Sequence, residues 1–193
     1  FYAAYGILNA YIQRLKTGKG QLVDTSLLEG GLAYTFWESA IFFATGISPS
    51  PAGSAHRLTA PYQSFSTMDS HINIGAATQA NWIRLCGALD RSDLLNDKKF
   101  DTNTDRMEHL GELQANLNQT FRSKTTTEWL NILELAGVPC GPVYNIEQAY
   151  NDPQVLSRNM VVEIEHPIAG LIKNIGIPVK LHDTPGSIRR PAP

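Results

Sequence analysis

Cysteine is scarce in this sequence: among its 193 residues only Cys86 and Cys140 carry a thiol. The two lie far apart and neither belongs to a CxxC pair or to a Cys/His spacing typical of metal ligands. The sequence therefore indicates neither a disulfide framework nor a zinc site. The five histidines are scattered without an i, i+4 pair, so no metal is expected. A reducing cytoplasm is the expected location.

The sequence also lacks a strong charge of either sign and a long apolar run. Sixteen Lys and Arg face eighteen Asp and Glu, and the net charge of -2 gives no reason to expect nucleic acid or an anionic membrane as partner. The most apolar stretch, residues 32–46, is interrupted by Glu38 and is shorter than the roughly 20 residues that span a bilayer. We therefore expect a buried helix in this stretch and no membrane partner.

A start signal is missing as well. The sequence opens at Phe1 without Met and without the basic and apolar regions of a signal peptide. Residues 1–15 already carry apolar side chains at a helical period, with no N-cap before them. We expect the chain to begin inside a longer protein. Its 42% hydrophobic and 18% charged residues are typical of a globular protein.

Helix and turn signals organise the first quarter of the chain. The first helix is predicted to end at Thr17-Gly18-Lys19-Gly20, where basic residues and glycine suit a helix C-terminus. Residues 21–25 alternate briefly like a strand. Ser26 and Glu29 have the form of a capping box that opens a second helix ending at Gly46. Residues 47–59 are rich in Pro, Ser and Gly and have no periodicity, so they are predicted to be a linker.

The middle of the chain reads as a small α+β unit of two strands and three helices. Two alternating runs, YQSFST and HINIG, are separated by Met68-Asp69-Ser70 and predict a hairpin. The helices are predicted over 79–89, from Asn103 or Thr104 to about Phe121, and from the capping box Thr125/Glu128 to Gly137. Beyond them, we expect an extended GVPCGPV, a short helix cut by Pro153, and a β pair around Ala169-Gly170.

Without family knowledge, the roles of the side chains that could take part in catalysis or binding are ambiguous. The sequence Gly53-Ser54-Ala55-His56 places a hydroxyl and an imidazole on a loop whose N–H groups could meet an acyl oxygen, and a flexible linker is the alternative. Asp24 and Glu29 are carboxylates with local tasks beside a helix N-terminus. Cys140 stands between two prolines without an identifiable base and is expected to be a small buried hydrophobe.

Six blocks, in order along the chain, carry a resemblance to a known family. They are YGILNAYIQRLKTGKGQLVDTSLLEG, GSAHRLTAPYQSFSTMDSHINIG, WIRLCGAL, DKKFDTNTDRMEH, GVPCGPVYNIEQAYNDPQVLSRNM and VEIEHPIAGLIKNIGIPVKL. With these blocks the chain resembles the C-terminal part of the family III CoA-transferases, the CaiB/BaiF family, which includes formyl-CoA transferase and succinate-hydroxymethylglutarate CoA-transferase-like enzymes. The combination of GxGQ-x-VD-x-SLLE with GVPCGPV is specific.

The resemblance implies an α/β fold made of a piece of a large α/β domain plus a small α+β domain. Residues 1–46 would be part of the large domain and 47–59 the linker and active-site loop. Residues 60–136 would form the small α+β domain, and 137–193 the segment returning to the large domain. Family members are homodimers with interlocked subunits, so a homodimer is implied for the full-length protein.

The resemblance also implies a reaction. Such enzymes move CoA from an acyl-CoA to a small carboxylic acid through an aspartyl anhydride and an aspartyl thioester. CoA enters as the acyl-CoA substrate, and no metal is needed. The nucleophilic aspartate would precede the helix that begins at Phe1, so no residue of this chain is assigned as catalytic and the chain alone is expected to be inactive.

The part of the active site that the resemblance places in this chain is a loop that closes over the reacting thioester and shields it from water. Three glycines of the family's loop are replaced here, which predicts a stiffer loop. The residues assigned to the loop and to its exit are Gly53, Ser54, Ala55, His56, Pro61 and Tyr62.

Two alternatives remain at this point. A 2-methylacyl-CoA racemase of the same superfamily would use a His/Asp acid–base pair in place of a nucleophile. A chain without catalytic activity could instead serve as a structural or interaction domain. The GVPCGPV block favours the transferase.

Overall fold

The structure, a computed structural model, describes residues 1–191 and divides into two compact units, Phe1–Gly53 and a second unit that begins at Ser54. The mixture of helices with small antiparallel sheets confirms the predicted α/β class. The helices are α1 (Tyr2–Thr17), α2 (Leu27–Tyr34), α3 (Phe36–Thr45), α4 (Gln79–Ala88), α5 (Ser92–Asn96), α6 (Asn103–Glu108), α7 (Leu110–Phe121), α8 (Thr126–Leu135), α9 (Ile146–Asn151) and α10 (Pro153–Ser157), with a 3-10 turn at Lys98–Phe100. The strands are β1 (Tyr62–Ser66), β2 (His71–Gly75), β3 (Cys140–Pro142), β4 (Val161–His166) and β5 (Gly170–Ile175).

In the first unit, α1 ends where its sequence predicts. Gly18 adopts the left-handed conformation with φ 74° and donates its N–H to the Arg14 carbonyl at 2.8 Å. The predicted strand over 21–25 is wrong: this segment has no regular secondary structure, and the described residues of the first unit include no strand with which it could pair. It passes close to α1, since a Cβ on Gly6 would lie 2.8 Å from a Val23 methyl.

The predicted second helix is interrupted. Its capping box is confirmed, because Ser26 Oγ accepts from the Glu29 N–H while the Glu29 carboxylate accepts from the Ser26 N–H. The helix breaks at Thr35, whose hydroxyl donates to the Leu32 carbonyl at 2.8 Å and so competes with the helical ladder. The second half, α3, ends at Gly46 as predicted.

The expectation of a buried helix over 32–46 is also wrong for this structure. None of α1, α2 and α3 has a buried residue, and Phe36 and Phe43 are 70% and 81% exposed. The first unit alone therefore does not cover the apolar side chains of these three helices. Within residues 1–191, no helix is long and apolar enough to cross a membrane.

The second unit is built on a three-stranded antiparallel sheet in the order β1-β2-β3. The predicted hairpin is confirmed, with Phe65 opposite Ile72 and Tyr62 opposite Gly75. The extended GVPCGPV segment supplies β3, which pairs Cys140 with Ile74. One face of this sheet packs on α4, α7 and α8 around a core of buried side chains. The largest apolar ones are Trp82, Phe65, Phe100, Phe121, Ile72, Leu85, Leu113, Leu117 and Leu133.

The long helix predicted to end at Phe121 is two helices. Its N-cap is Thr102, which exchanges capping hydrogen bonds with Asp105, and not Asn103 or Thr104. The break falls at His109. A ring nitrogen of His109 lies 2.9 Å from the Asp105 carbonyl, which also accepts a helical hydrogen bond from the His109 N–H. The short helices around Pro153 and the terminal β4–β5 hairpin are confirmed.

A hydrogen-bond cluster joins the hairpin turn to α8, with Thr67 and Thr126 buried and Asp69 exposed. Asp69 Oδ1 accepts from the N–H and hydroxyl of Thr126 at 2.8 and 2.9 Å and from the Thr67 hydroxyl at 3.1 Å. The hydrogen bond from the Thr126 N–H is the largest cause that holds the pKa of Asp69 below its ordinary value. The two threonine hydroxyls also lie 2.8 Å apart, which makes the turn and the helix N-terminus one network.

The lowered pKa predicts acid sensitivity. The folded-state pKa of Asp69 lies below the unfolded value, so its contribution to stability is present above the unfolded pKa and is lost as pH falls through the folded pKa. We expect Asp69→Asn to lower the free energy of unfolding near pH 6 and to reduce the loss of stability on going to about pH 3. Urea titrations at both pH values measure this. Asp183→Asn, which changes an exposed carboxylate, serves as the control; a pH dependence identical in the two variants would contradict the assignment.

Candidate active site

The loop that follows Gly53 runs along the outer edge of β1. The Ser54 hydroxyl accepts a hydrogen bond from the Ser64 N–H at 3.2 Å, and the His56 N–H donates to the Tyr62 carbonyl at 2.9 Å. These two bonds use backbone groups of an edge strand that would otherwise lack partners. The loop is therefore fixed to the sheet by its own Ser and His residues.

Contacts at Nδ1 and with the Tyr62 ring hold the His56 side chain in place. Its Nδ1 accepts from the Leu58 N–H at 3.1 Å and lies 3.2 Å from the Thr59 hydroxyl. Its ring meets that of Tyr62 edge-on, with the centroids 5.4 Å apart at 69°. Because Nδ1 is an acceptor, the neutral ring carries its proton on Nε2. The imidazole thus orders the loop in addition to any chemical role.

Ala60 and Pro61, where the loop enters β1, are buried. Ala60 is 1% exposed, and the Pro61 carbonyl accepts from the Ala76 N–H at 2.9 Å. The Ala60 carbonyl accepts from Arg106 Nε at 2.7 Å, and its N–H donates to Asn103 Oδ1 at 3.1 Å. Both backbone groups of Ala60 are therefore bound by side chains of α6.

Arg106 is the only charged residue that is fully buried among the described residues, with 0% exposure. Its partners are four neutral oxygens and the face of Trp82, whose ring centre lies 5.1 Å from the guanidinium carbon. Burial lowers the pKa of Arg106 below its ordinary value, yet a guanidinium stays protonated in proteins. The oxygens are those of the Ala60, Phe100 and Asp101 carbonyls and of the Gln79 side chain, at 2.7 to 3.2 Å.

A concave pocket of about 570 Å³ opens beside the loop, entirely within the second unit. Gly75 lies in its wall, where an added Cβ would be 3.3 Å from Pro139 and 3.5 Å from the Tyr62 ring. The pocket therefore depends on a residue without a side chain at this point. Its lining residues all carry neutral side chains: Ser54, Tyr62, Gln63, Asn73, Ile74, Gly75, Pro139, Cys140 and Gly141.

The two thiols do not have the properties of nucleophiles. Burial raises the pKa of Cys140, which lines the pocket, above its ordinary value, and raises that of Cys86 in the core to about 12. Both thiols thus stay protonated near neutral pH, where the thiolate is the reactive form. Cys140 is half-buried and packs against the core, so the expectation of a fully buried residue is corrected by its place on the edge strand β3.

The structure brings together four of the six residues assigned from the sequence: Ser54, His56, Pro61 and Tyr62 lie within one hydrogen-bonded corner of the second unit. Ala55 lies between two of them in the chain and is half-buried. Gly53 is the last residue of the first unit and has a positive φ of 61°, which suits glycine. Their roles in substrate binding remain predictions.

Sequence reasoning missed Asn103, Arg106 and the pocket residues contributed by β2 and β3. The block DKKFDTNTDRMEH contains both α6 residues, but nothing in its spacing shows that they reach the loop. The carboxylate of Glu29 is used in its capping box, as predicted, and Asp24 is exposed in the segment between α1 and α2. Among residues 1–191, no group of three or more His, Cys, Asp or Glu side chains is arranged to hold a metal ion.

Comparison with known proteins gives consistent matches. A family profile described as CoA-transferase family III matches residues 1–193. Human succinyl-CoA:glutarate CoA-transferase is 34% identical over 192 residues, covering 100% of this chain and 44% of that protein. Acetyl-CoA:oxalate CoA-transferase from Acetobacter aceti is 31% identical, over 94% of this chain and 47% of that protein. The chain thus spans about half the length of the curated relatives it matches.

The fold has counterparts among solved structures. The crystal structure of a CAIB/BAIF family protein from Brucella suis superposes with a TM-score of 0.78 at 30% identity, covering 95% of this chain and 47% of that chain. The predicted resemblance and fold class are confirmed by these matches.

The Arg106 network predicts a large stability difference between two arginines. Arg106→Met is expected to destabilise the protein by about 1–3 kcal/mol, because it leaves buried carbonyls without donors. Arg84→Met removes an exposed arginine on α4 and is expected to change stability by less than about 0.5 kcal/mol. Urea unfolding of both variants measures the difference; equal losses would contradict the structural role of Arg106.

Proposed function

Because this chain belongs to CoA-transferase family III, we propose that it forms part of an enzyme that moves CoA from an acyl-CoA donor to a small carboxylic acid. The observation that carries the proposal is the family match over residues 1–193. The anchored loop and the neutral pocket beside it support a role of the second unit in covering the reacting thioester. We further propose that the enzyme works in a reducing compartment such as the cytoplasm, in keeping with its two free thiols.

The proposed reaction divides one exchange into four displacements. An aspartate oxygen attacks the thioester carbonyl, the C–S bond breaks, and CoA leaves as a thiolate with a mixed anhydride on the enzyme. The thiolate attacks the aspartyl carbonyl and releases the donor acid, which leaves an aspartyl-CoA thioester. The acceptor carboxylate then displaces CoA to form a second anhydride. The thiolate finally attacks the acceptor's acyl carbon and frees the aspartate.

We assign the nucleophilic aspartate to sequence outside these 193 residues, where the family resemblance places it. Within the chain, Glu29 is committed to its capping box and Asp69 to the hairpin network. The neutral pocket carries no carboxylate, and its Cys140 thiol is protonated. The chain by itself is therefore expected to have no transferase activity.

The chemistry of the pocket lining suggests which part of the substrate it receives. Hydroxyl, amide and thiol groups from Ser54, Gln63, Asn73 and Cys140 can hydrogen-bond a neutral ligand, whereas no cation in the lining would neutralise a phosphate or a carboxylate. We propose that this pocket accepts the uncharged region around the thioester of the acyl-CoA.

A dicarboxylic acid is the proposed acceptor class. The human relative is named for succinyl-CoA and glutarate, and the Acetobacter relative for acetyl-CoA and oxalate, so the free acid in each name is a dicarboxylic acid. These names support a CoA-transferase in preference to a racemase or a non-catalytic domain.

The exposed apolar surface of the first unit supports an assembly in which other parts of the protein cover it. Its exposed apolar side chains include Phe36, Phe43, Leu15 and Leu27, at 68% to 98% exposure. Apolar area of this extent is typical of a protein interface. We propose that the rest of the subunit and a second subunit, in the interlocked homodimer implied by the family, cover these helices.

A CoA-exchange assay tests the function. The full-length protein should convert succinyl-CoA plus glutarate or oxalate into the new acyl-CoA, with acetate a poorer acceptor, as followed by chromatography of the CoA esters. Hydroxylamine added during turnover should trap the enzyme as an aspartyl hydroxamate, located by peptide mass spectrometry.

The alternatives predict different results. Epimerisation of a 2-methylacyl-CoA without exchange would replace the proposed function with racemisation. A full-length protein that performs neither reaction would support a structural role. Transfer by the 193-residue chain alone would contradict the assignment of the nucleophile to other sequence.

A further inference from the structure

Side chains of α6 hydrogen-bond to the backbone of the loop beside the pocket. Asn103 makes two hydrogen bonds to the loop backbone: Oδ1 accepts from the Ala60 N–H at 3.1 Å, and Nδ2 donates to the Leu58 carbonyl at 2.8 Å. Arg106, one turn along the same helix, donates to the Ala60 carbonyl at 2.7 Å. We call these three bonds the α6 clamp. They fix both ends of the short span from Leu58 to Ala60.

The residues of the α6 clamp are themselves held by local hydrogen bonds. Asn103 directly follows the Thr102 cap, whose reciprocal bonds with Asp105 close the first turn of α6. Arg106 is fully buried and bound to carbonyls of the preceding turn, Phe100 and Asp101. Side chains from a helix that is capped and anchored by a buried arginine can hold a loop at a defined place.

The clamped span adjoins the residues that the proposed function uses. Leu58 N–H binds His56 Nδ1, so moving Leu58 moves the imidazole. His56 in turn binds Tyr62 through its N–H, and Tyr62 lines the pocket with Ser54. The Asn103 carboxamide is therefore linked to the pocket wall through one continuous set of contacts, although Asn103 itself does not line the pocket.

We propose that Asn103 is a positioning residue of the CoA-transferase: its carboxamide sets the place of residues 54–57 over the acyl intermediate and thereby excludes water. This inference rests on the proposed function. Asn103 is half-buried, and both ends of its amide hydrogen-bond to the loop backbone, so it contributes little apolar packing. Its removal is therefore expected to destabilise the loop more than the core.

The chemical consequence is a change in partition. When the loop is displaced, a water oxygen can attack the acyl carbon of the anhydride; the C–O bond to the aspartate breaks, the carboxylate is regenerated, and the water protons pass to solvent. The CoA thiolate then leaves as free CoA. Each such event consumes an acyl-CoA without producing the acceptor's CoA ester. The amount of free CoA therefore measures how often hydrolysis takes the place of transfer.

The partition experiment uses the full-length enzyme with succinyl-CoA and glutarate. Asn103→Ala is expected to raise the ratio of free CoA to glutaryl-CoA about tenfold, the factor that corresponds to losing a pair of ordinary hydrogen bonds. Asn103→Asp keeps an acceptor for the Ala60 N–H but repels the Leu58 carbonyl, so its ratio should fall between wild type and Asn103→Ala. Thr104→Ala, at an exposed site on the same helix, is the matched control and should leave the ratio unchanged.

Trypsin reports the loop independently of activity. Arg57 lies inside the loop, and cleavage after it requires the segment to leave β1. Cleavage there should be about tenfold faster in Asn103→Ala than in wild type or Thr104→Ala, for the same loss of hydrogen bonds.

The outcomes separate the two claims. An active wild type with an unchanged product ratio in Asn103→Ala would overturn the positioning role, as would a drop in transfer matched by an equal drop in hydrolysis. A wild type without transfer would overturn the proposed function and the catalytic role with it. In that case faster cleavage after Arg57 would still establish the clamp as a property of the fold.

Discussion

The second unit depends on a positive charge buried among neutral oxygens. Arg106 joins the entry of β1, the start of α4 and the turn before α6 through one guanidinium, and the oxygens it binds belong to segments that share no strand pairing or helix. Burying such a charge is costly unless its donors are satisfied, and here carbonyl dipoles and the Trp82 face take the place of a carboxylate. The same interaction that closes the core also fixes the last residue of the loop, so stability and site geometry share one cause.

That shared cause explains the arrangement of the candidate site. The sheet supplies the pocket wall, with Gly75 leaving room between Tyr62 and Pro139. The loop follows β1 through hydrogen bonds at Ser54 and His56. The neutral hydrogen-bonding groups and the protonated thiol of the pocket are compatible with the proposed binding of an uncharged thioester.

Local signals predicted most of the secondary structure because their causes are local. The capping boxes at Ser26 and Thr125 form within one helical turn, and the left-handed glycine that ends α1 needs no distant partner. The strand expected over 21–25 failed because pairing requires a second strand, which no local pattern guarantees. The helix breaks at Thr35 and His109 came from side chains that bond to helical carbonyls, an effect that apolar periodicity does not register.

The site was predictable only as far as the family resemblance reached. It indicated the loop from Gly53 to His56 and its exit, and the structure ties most of these residues together. Asn103 and Arg106 stand 43 and 46 residues from the Ala60 they bind. The sequence predicted Asn103 only as a possible helix cap and assigned no role to Arg106. Only the tertiary fold brings Asn103 into hydrogen bonds with the loop and makes Arg106 part of the core.

A double-mutant cycle between Asn103 and Arg106 tests the central claim most directly. If both side chains hold the same Ala60 backbone, the unfolding free energies of Asn103→Ala, Arg106→Met and the double variant should be non-additive by at least about 0.5 kcal/mol. Strict additivity within the error of urea titrations would show that the two residues act separately, and would contradict the account of one clamp that fixes the loop to the core.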